Sequence, residues 1–243
     1  MRFGILSTYN NPLLPNLIQE LNEINLAKFF IILDERLDNE KDLLIFKKRT
    51  GNNFPEAVQH KFLHSFSEQN IPFYLVDNHN SQSALKLYKK LKIQCLFNAG
   101  TPRLINKNVI DSMSNGIINI HPGILPEYRG CSCVEWAILN DDPIGNTAHF
   151  MDVNYDTGPI IEIEKYDFKH SSEYIDIRTT VYLKGCKLAA NVLKKIEILN
   201  LGFEKATKQD NKKANTWKPI SPSKELEAIK KANNHLYKFQ NKD

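Results

Sequence analysis

The 243-residue sequence is poor in cysteine and glycine and has no long apolar run. Its four cysteines are Cys95, Cys131, Cys133 and Cys186, and no two stand in a Cys-x-x-Cys pair. That excludes zinc-knuckle and thioredoxin-type spacing. No His-Glu-x-x-His is present, so no metal is expected. No Gly-x-Ser-x-Gly elbow and no Walker loop occur, which leaves serine-hydrolase and P-loop chemistry without support. The turn after the first apolar segment reads Ser7-Thr8-Tyr9-Asn10-Asn11-Pro12, without glycine. A backbone nest for a pyrophosphate is therefore not expected there. No stretch approaches the roughly 20 apolar residues of a membrane span. The opening Met1-Arg2-Phe3-Gly4-Ile5-Leu6 is too short an apolar run for a signal peptide. A cytoplasmic protein without a membrane partner is the expectation. Strong charge is lacking too, since the formal net charge is only +4. That balance does not call for nucleic acid. The late lysines, from Lys205 to Lys231, read as a solvated tail. Abundant Asn, Lys and Ile point to an AT-rich, bacterial genome and to no function.

What is present is an ordinary globular composition, 42% hydrophobic and 25% charged, enough for one core with a small appendage. Buried strands are expected at Arg2 to Ser7, Lys28 to Leu33, Pro72 to Val76, Gln94 to Ala99 and Gly116 to His121. Helical periods fall between them, at Leu13 to Asn22, Glu40 to Arg49, Glu56 to Phe66, Ser81 to Leu91 and Asn106 to Met113. This alternation predicts an α/β fold with a Rossmann-like, mostly parallel sheet and helices on both faces. Further on come a short helix at Ser132 to Leu139 and strands at Asn146 to Asp152 and Gly158 to Tyr166. A long helix at Ser172 to Leu199 is expected to be interrupted near Gly185. Residues 1–200 read as one catalytic domain and 201–243 as a short C-terminal extension. The extension holds a polar linker and a terminal helix from Ser223 to Tyr237, capped by Ser223.

The chemistry gathers around Asn119-Ile120-His121-Pro122. Asn119 and His121 stand two apart, so on a strand they share one face. An amide donor beside an imidazole can hold an oxyanion. His121 falls at the carboxyl end of its strand, where open α/β sheets bind ligands. Asp156, in the loop Asn154-Tyr155-Asp156-Thr157-Gly158, is the carboxylate placed to meet the imidazole. By itself an Asp before Gly would be turn chemistry. His149 is a weaker candidate that packs or faces outward. Cys95 reads as a small buried apolar residue, and Cys131-Ser132-Cys133 as packing beside the site.

Several spaced segments then resemble one family over roughly residues 1 to 200. They are Asn119-Ile120-His121-Pro122, Leu125-Pro126, Arg129-Gly130, Gly145-Asn146-Thr147-Ala148-His149 and Asp156-Thr157-Gly158-Pro159-Ile160-Ile161. They look like the formyltransferases that use 10-formyltetrahydrofolate, and Asn98-Ala99-Gly100-Thr101-Pro102-Arg103-Leu104-Ile105 resembles the segment lining the folate pocket. The resemblance implies that Asn119, His121 and Asp156 form a catalytic trio. It implies that Arg103, Leu104 and Ile105, with the loop bearing Asp152 and Asn154, hold the pterin of the co-substrate. It also implies attack of an amine on the formyl carbon through a tetrahedral intermediate.

Three acceptors compete within the resemblance. Glycinamide ribonucleotide enzymes carry a glycine-rich first turn, which this sequence lacks. Methionyl-tRNA enzymes carry a sizeable basic C-terminal domain, and only about 40 residues follow Leu201. The segments Arg129 to Ile138 and Asn140 to Gly145 look most like nucleotide-sugar N-formyltransferases, which serve surface polysaccharide. The expected acceptor is therefore a nucleotide-linked amino sugar, dTDP-4-amino-4,6-dideoxyglucose or its 3-amino isomer. Candidate acceptor contacts are Tyr9, Asn10, Arg129 and Trp217, and Trp217 could equally clip the tail onto the core. A homodimer touching through the C-terminal segment is the expected assembly. A folate-binding regulatory relative and a formate-releasing hydrolase are the readings outside this class.

Overall fold

The computed structural model describes residues 1–36, 40–51, 53–54, 64, 66–101 and 103–242. Its centre is a seven-stranded sheet built from β1 (Phe3–Thr8), β2 (Phe29–Asp34), β3 (Phe73–Val76), β4 (Cys95–Asn98), β5 (Ile117–His121), β7 (Ile144–Phe150) and β8 (Ile160–Tyr166). The spatial order is β3-β2-β1-β4-β5-β7-β8. The first five are parallel, while β7 runs antiparallel to both β5 and β8. The order reverses between β1 and β4, the kind of point where such sheets open a crevice at their carboxyl ends. The short pairs β6 (Arg129–Gly130) with β10 (Thr216–Trp217) and β9 (Phe168–Lys169) with β11 (Gln240–Lys242) lie outside the main sheet.

One face of the sheet is covered by α1 (Leu14–Glu23) and α6 (Tyr174–Leu199). In α1 the buried Leu14, Leu17, Ile18 and Leu21 recur at helical spacing, as the sequence periodicity predicts. The other face is covered by α3 (Gln82–Leu91) and α4 (Lys107–Ser112). Each of these two begins on a side-chain cap: Ser81 Oγ accepts from the N–H of Ala84, and Asn106 Oδ1 from that of Val109. A third apolar cluster joins α5 (Cys133–Asn140) to α7 (Pro222–Asn233) and the start of α6. The chain beyond residue 200 thus packs against α5 through Ala228, Ala232 and Tyr237.

Three expectations need correction. Gly185 does not interrupt α6, which runs unbroken from Tyr174 to Leu199. Glycine is there because the helix crosses β7 closely; a Cβ would meet the Asn146 amide at 3.2 Å. The terminal helix starts at Pro222 with Ser221 as its cap, so Ser223 lies inside it. The helix also ends at Asn233, short of Tyr237; its buried face is alanine, Ala228 and Ala232, with Leu226 exposed. Most of the helix expected over 56–66 lies outside the described residues. A final element, α2 (Glu40–Thr50), packs against α6.

Candidate functional site

β5 sets the site. Along it Ile118 joins the cluster under α1 and α6, while Ile117 joins the opposite cluster. Asn119 and His121 therefore share the face of Ile117. The antiparallel register puts His149 of β7 directly opposite Asn119, and opposed residues share a face. Asn119 Nδ2 lies 3.3 Å from His149 Nε2. The other nitrogen of His149, Nδ1, donates to the carbonyl of Phe150 at 2.9 Å. Burial holds the His149 imidazole below the usual histidine range, although Asp156 pulls the other way.

His121 is buried as well. Its Nε2 donates to the carbonyl of Tyr128 at 2.6 Å, and its Nδ1 lies 3.5 Å from Asp156 Oδ1. The contact with the Tyr128 carbonyl places a proton on Nε2, and Nδ1 faces the carboxylate. Asp156 Oδ1 is also 3.7 Å from His149 Nε2, so one carboxylate oxygen faces both imidazoles. The structure thus brings Asn119, His121 and Asp156 together and adds His149.

The loop carrying Asp156 is held on several sides. Asp156 adopts φ +54°, and the N–H of Gly130 donates to its Oδ2 at 2.9 Å. Gly130 itself has φ +92°, and a Cβ there would collide with the carbonyl of Trp217, so only glycine suits the position. Gln209 donates to the carbonyls of Asp156 and Gly158. Arg129 spends its guanidinium on Gln209 Oε1 and Asn211 Oδ1, at 2.7 to 3.0 Å. Gln209 lies in the segment read from sequence as a polar linker, and no local pattern marks it.

The other sequence candidates fall in several places. Tyr9 is buried in the cluster under α1 and α6, while its neighbour Asn11 lines two adjacent cavities. Trp217 stacks between Tyr128 and Trp136, with ring centroids 5.5 and 4.9 Å away, and its Nε1 donates to the carbonyl of Glu127. That is the clip of the tail onto the core. The Arg103 guanidinium is bound to Asp34 at 2.6 and 3.0 Å. Leu104 is exposed and Ile105 buried. Asp152 Oδ1 accepts from the N–H of Asn154 and the hydroxyl of Thr157, closing its own loop. Val153 and Tyr155 of that loop stand exposed. Cys133 is buried, with its thiol donating to the Tyr128 carbonyl at 3.2 Å and 3.5 Å from His121 Nε2; Cys131 is exposed.

Two cavities open at the carboxyl ends of β1, β4 and β5. The inner one, about 250 Å³, is mostly apolar and is lined by Asn119, Pro122, Leu14, Phe97, Val181 and Gly185 among others. The outer one, about 570 Å³, carries Arg36, Arg49, Phe46, Thr101, Cys131 and Ser132. Asn11, Leu13, Gly100 and Tyr182 line both. Among the described residues no group of His, Cys, Asp and Glu side chains could hold a metal ion, and no helix is long and apolar enough to cross a membrane.

The formyl transferase family profile matches residues 46–189, and the chain belongs to that family. Methionyl-tRNA formyltransferase of Borrelia hermsii is 28% identical over 130 residues, 53% of this chain and 42% of that protein. The chain spans about half the length, or less, of the curated relatives it matches. Among solved structures, glycinamide ribonucleotide transformylase 1 from Symbiobacterium toebii superposes with a TM-score of 0.63 at 17% identity, covering 86% of this chain and 93% of that one. The N-formyltransferase from Helicobacter canadensis, solved with folinic acid and dTDP-3-aminofucose, gives 0.62 at 16% identity, covering 96% of this chain and 80% of that one. These likenesses establish a shared fold.

Proposed function

We propose that the protein transfers a formyl group from 10-formyltetrahydrofolate to the amine of a nucleotide-linked amino sugar. The observation that carries formyl transfer is the convergence of Asn119, His121 and Asp156, with Asp156 Oδ1 3.5 Å from His121 Nδ1. Family membership supports the same reaction.

The residues present fit the co-substrate. Ile105 and Met151 belong to one packed cluster, and from it leave the segments bearing Leu104 and bearing Val153 and Tyr155. These large apolar side chains stand 57%, 57% and 71% exposed. They would hold a flat heteroaromatic ring, with backbone groups of 103–105 and of the Asp152–Asn154 loop reading its polar edge. When bound, the co-substrate supplies a carbonyl carbon at the oxidation level of formate. Asn119 offers that carbonyl oxygen the Nδ2 hydrogen that His149 does not take. His121 places positive charge beside the developing oxyanion, and Asp156 balances it. The acceptor nitrogen bonds the formyl carbon and loses a proton. Asp156 Oδ1 takes this proton, which ends on the nitrogen that released the formyl group.

The two cavities support the acceptor class. The inner one would take a deoxyhexose beside Asn119. The outer one offers Arg36 to a diphosphate and Phe46 and Tyr182 to a base, while Arg49, which also lines it, faces Glu135 and Glu225 at 3.5 Å. The Helicobacter canadensis enzyme, with dTDP-3-aminofucose, shares the fold. The chain acts in this reading on dTDP-4-amino-4,6-dideoxyglucose or the 3-amino isomer. A second reading, formylation of methionyl-tRNA, is favoured by the curated relatives. The deciding experiment incubates the protein with 10-formyltetrahydrofolate and a panel of dTDP- and UDP-amino sugars, or with methionyl-tRNA. Mass spectrometry then reads the added formyl group. Formylated methionyl-tRNA with no formylated sugar would replace the first reading by the second.

A further inference from the structure

Behind Asn119 lies Asn98, the last residue of β4 and its partner in register. The N–H of Thr101 donates to Asn98 Oδ1 at 3.0 Å. Asn98 Nδ2 donates to Asn119 Oδ1 at 3.1 Å. Asn119 Nδ2 donates to His149 Nε2 at 3.3 Å, and His149 Nδ1 to the carbonyl of Phe150 at 2.9 Å.

The two ends of this chain are backbone groups, and they cannot reverse. A peptide N–H only donates, so the Asn98 atom facing Thr101 is its oxygen and Nδ2 must point to Asn119. A peptide carbonyl only accepts, so His149 carries its proton on Nδ1 and presents a bare Nε2. Asn119 sits between an amide donor and an imidazole acceptor, and only one orientation of its own amide satisfies both. Turned over, it would set amide against amide at Asn98 and oxygen against lone pair at His149. In the allowed orientation one Nδ2 hydrogen is spent on His149 and the second is left over.

We propose that Asn98 is a positioning residue. Through this directional relay from Thr101 to Phe150 it fixes the Asn119 amide with one N–H aimed at the reacting carbonyl oxygen, and it keeps His149 as the Nδ1-protonated tautomer. The effect on rate rests on the formyl-transfer reading. The relay itself does not, and it can be read in the protein alone.

The test uses the full chain labelled with ¹⁵N at histidine. Long-range ¹H–¹⁵N spectra of the wild-type protein are expected to show His149 protonated at Nδ1 and bare at Nε2. In Asn98→Asp the new carboxylate accepts from Asn119, the Asn119 amide turns over, and its oxygen meets His149. His149 should then gain a proton at Nε2 while keeping the one that Nδ1 gives to the Phe150 carbonyl. In the same variant kcat should fall about 100-fold, the scale of losing an oxyanion donor, with the acceptor KM within about twofold of wild type. Asn98→Leu removes the link without reversing it, and its kcat should fall by about tenfold or more through misplacement, with cooperative thermal unfolding retained. The relay is overturned if wild-type His149 is protonated at Nε2. It is equally overturned if Asn98→Asp leaves His149 Nε2 bare, or if folded Asn98→Leu turns over at the wild-type rate. If Asn98→Asp protonates Nε2 while the wild-type chain formylates no amine, the relay stands and the transfer reading falls.

Discussion

Gln209 donates from one side-chain nitrogen to the carbonyl of Asp156, at 2.8 Å, from 53 residues further along the chain. The same nitrogen reaches the carbonyl of Gly158, and its oxygen receives Arg129. A loop with a left-handed residue at Asp156 is thereby tied at two carbonyls to one amide. Gln209→Ala should lower turnover by about tenfold through displacement of the carboxylate, with little change in cooperative unfolding. Steady-state kinetics beside a thermal melt would check this. A variant that melts far earlier and recovers full rate on cooling would show a purely structural role.

Asn119→Ala and His121→Ala should each fold and each lose at least about 100-fold in kcat, or roughly 3 kcal/mol of barrier, as removal of an oxyanion donor does. Single-turnover formylation followed by mass would measure it. Near wild-type turnover in folded His121→Ala would remove the assignment of that residue.

Much of this fold can be read in the sequence because strands such as the first and β7 are buried on both faces. Phe3–Thr8 is buried throughout, so it appears as an apolar run between turn signals. Asn119 and His121 can be paired by eye because strand period alone brings them together. His149 cannot, since its partnership with Asn119 depends on the β5–β7 register, which no local pattern carries. Gly185 misleads for a similar reason. A glycine in a helix reads as a break, yet here it is a crossing point against Asn146. Gln209 and Asn98 are ordinary polar residues whose importance comes from what the tertiary fold sets beside them.

Asp34 should leave a mark on acid stability. Its carboxyl is buried, which by itself would raise its pKa, but the Arg103 guanidinium and the N–H groups of Arg36 and His79 outweigh that and hold it below the usual carboxylate range. A carboxyl lowered in the folded state contributes stability that is complete above its unfolded pKa, about 3.9, and is lost as pH falls through the folded value. Asp34→Asn should therefore be less stable than wild type near neutrality and should lose less on acidification below about pH 4. Urea unfolding at a series of pH values would show it; parallel curves for the two proteins would contradict it.

The four thiols should separate sharply in a labelling experiment. Cys95, Cys133 and Cys186 are buried. Burial pushes all three thiols up, that of Cys186 to about 12, and a protonated thiol is a poor nucleophile. Cys131 is exposed and lines the outer cavity. One equivalent of maleimide should react quickly with the native protein, at Cys131, and bound acceptor should slow it. Peptide mapping would give the site, and rapid labelling of Cys133 would count against the packing around His121.

The protein's two tryptophans lie against each other, with Trp136 on α5 and Trp217 on the returning tail. Intrinsic indole emission therefore comes from one place in the molecule. It reports whether the tail lies against the strand that bears Gly130, and so whether Asp156 keeps the N–H that holds it. A fluorimeter can thus follow the integrity of the site without substrate or label.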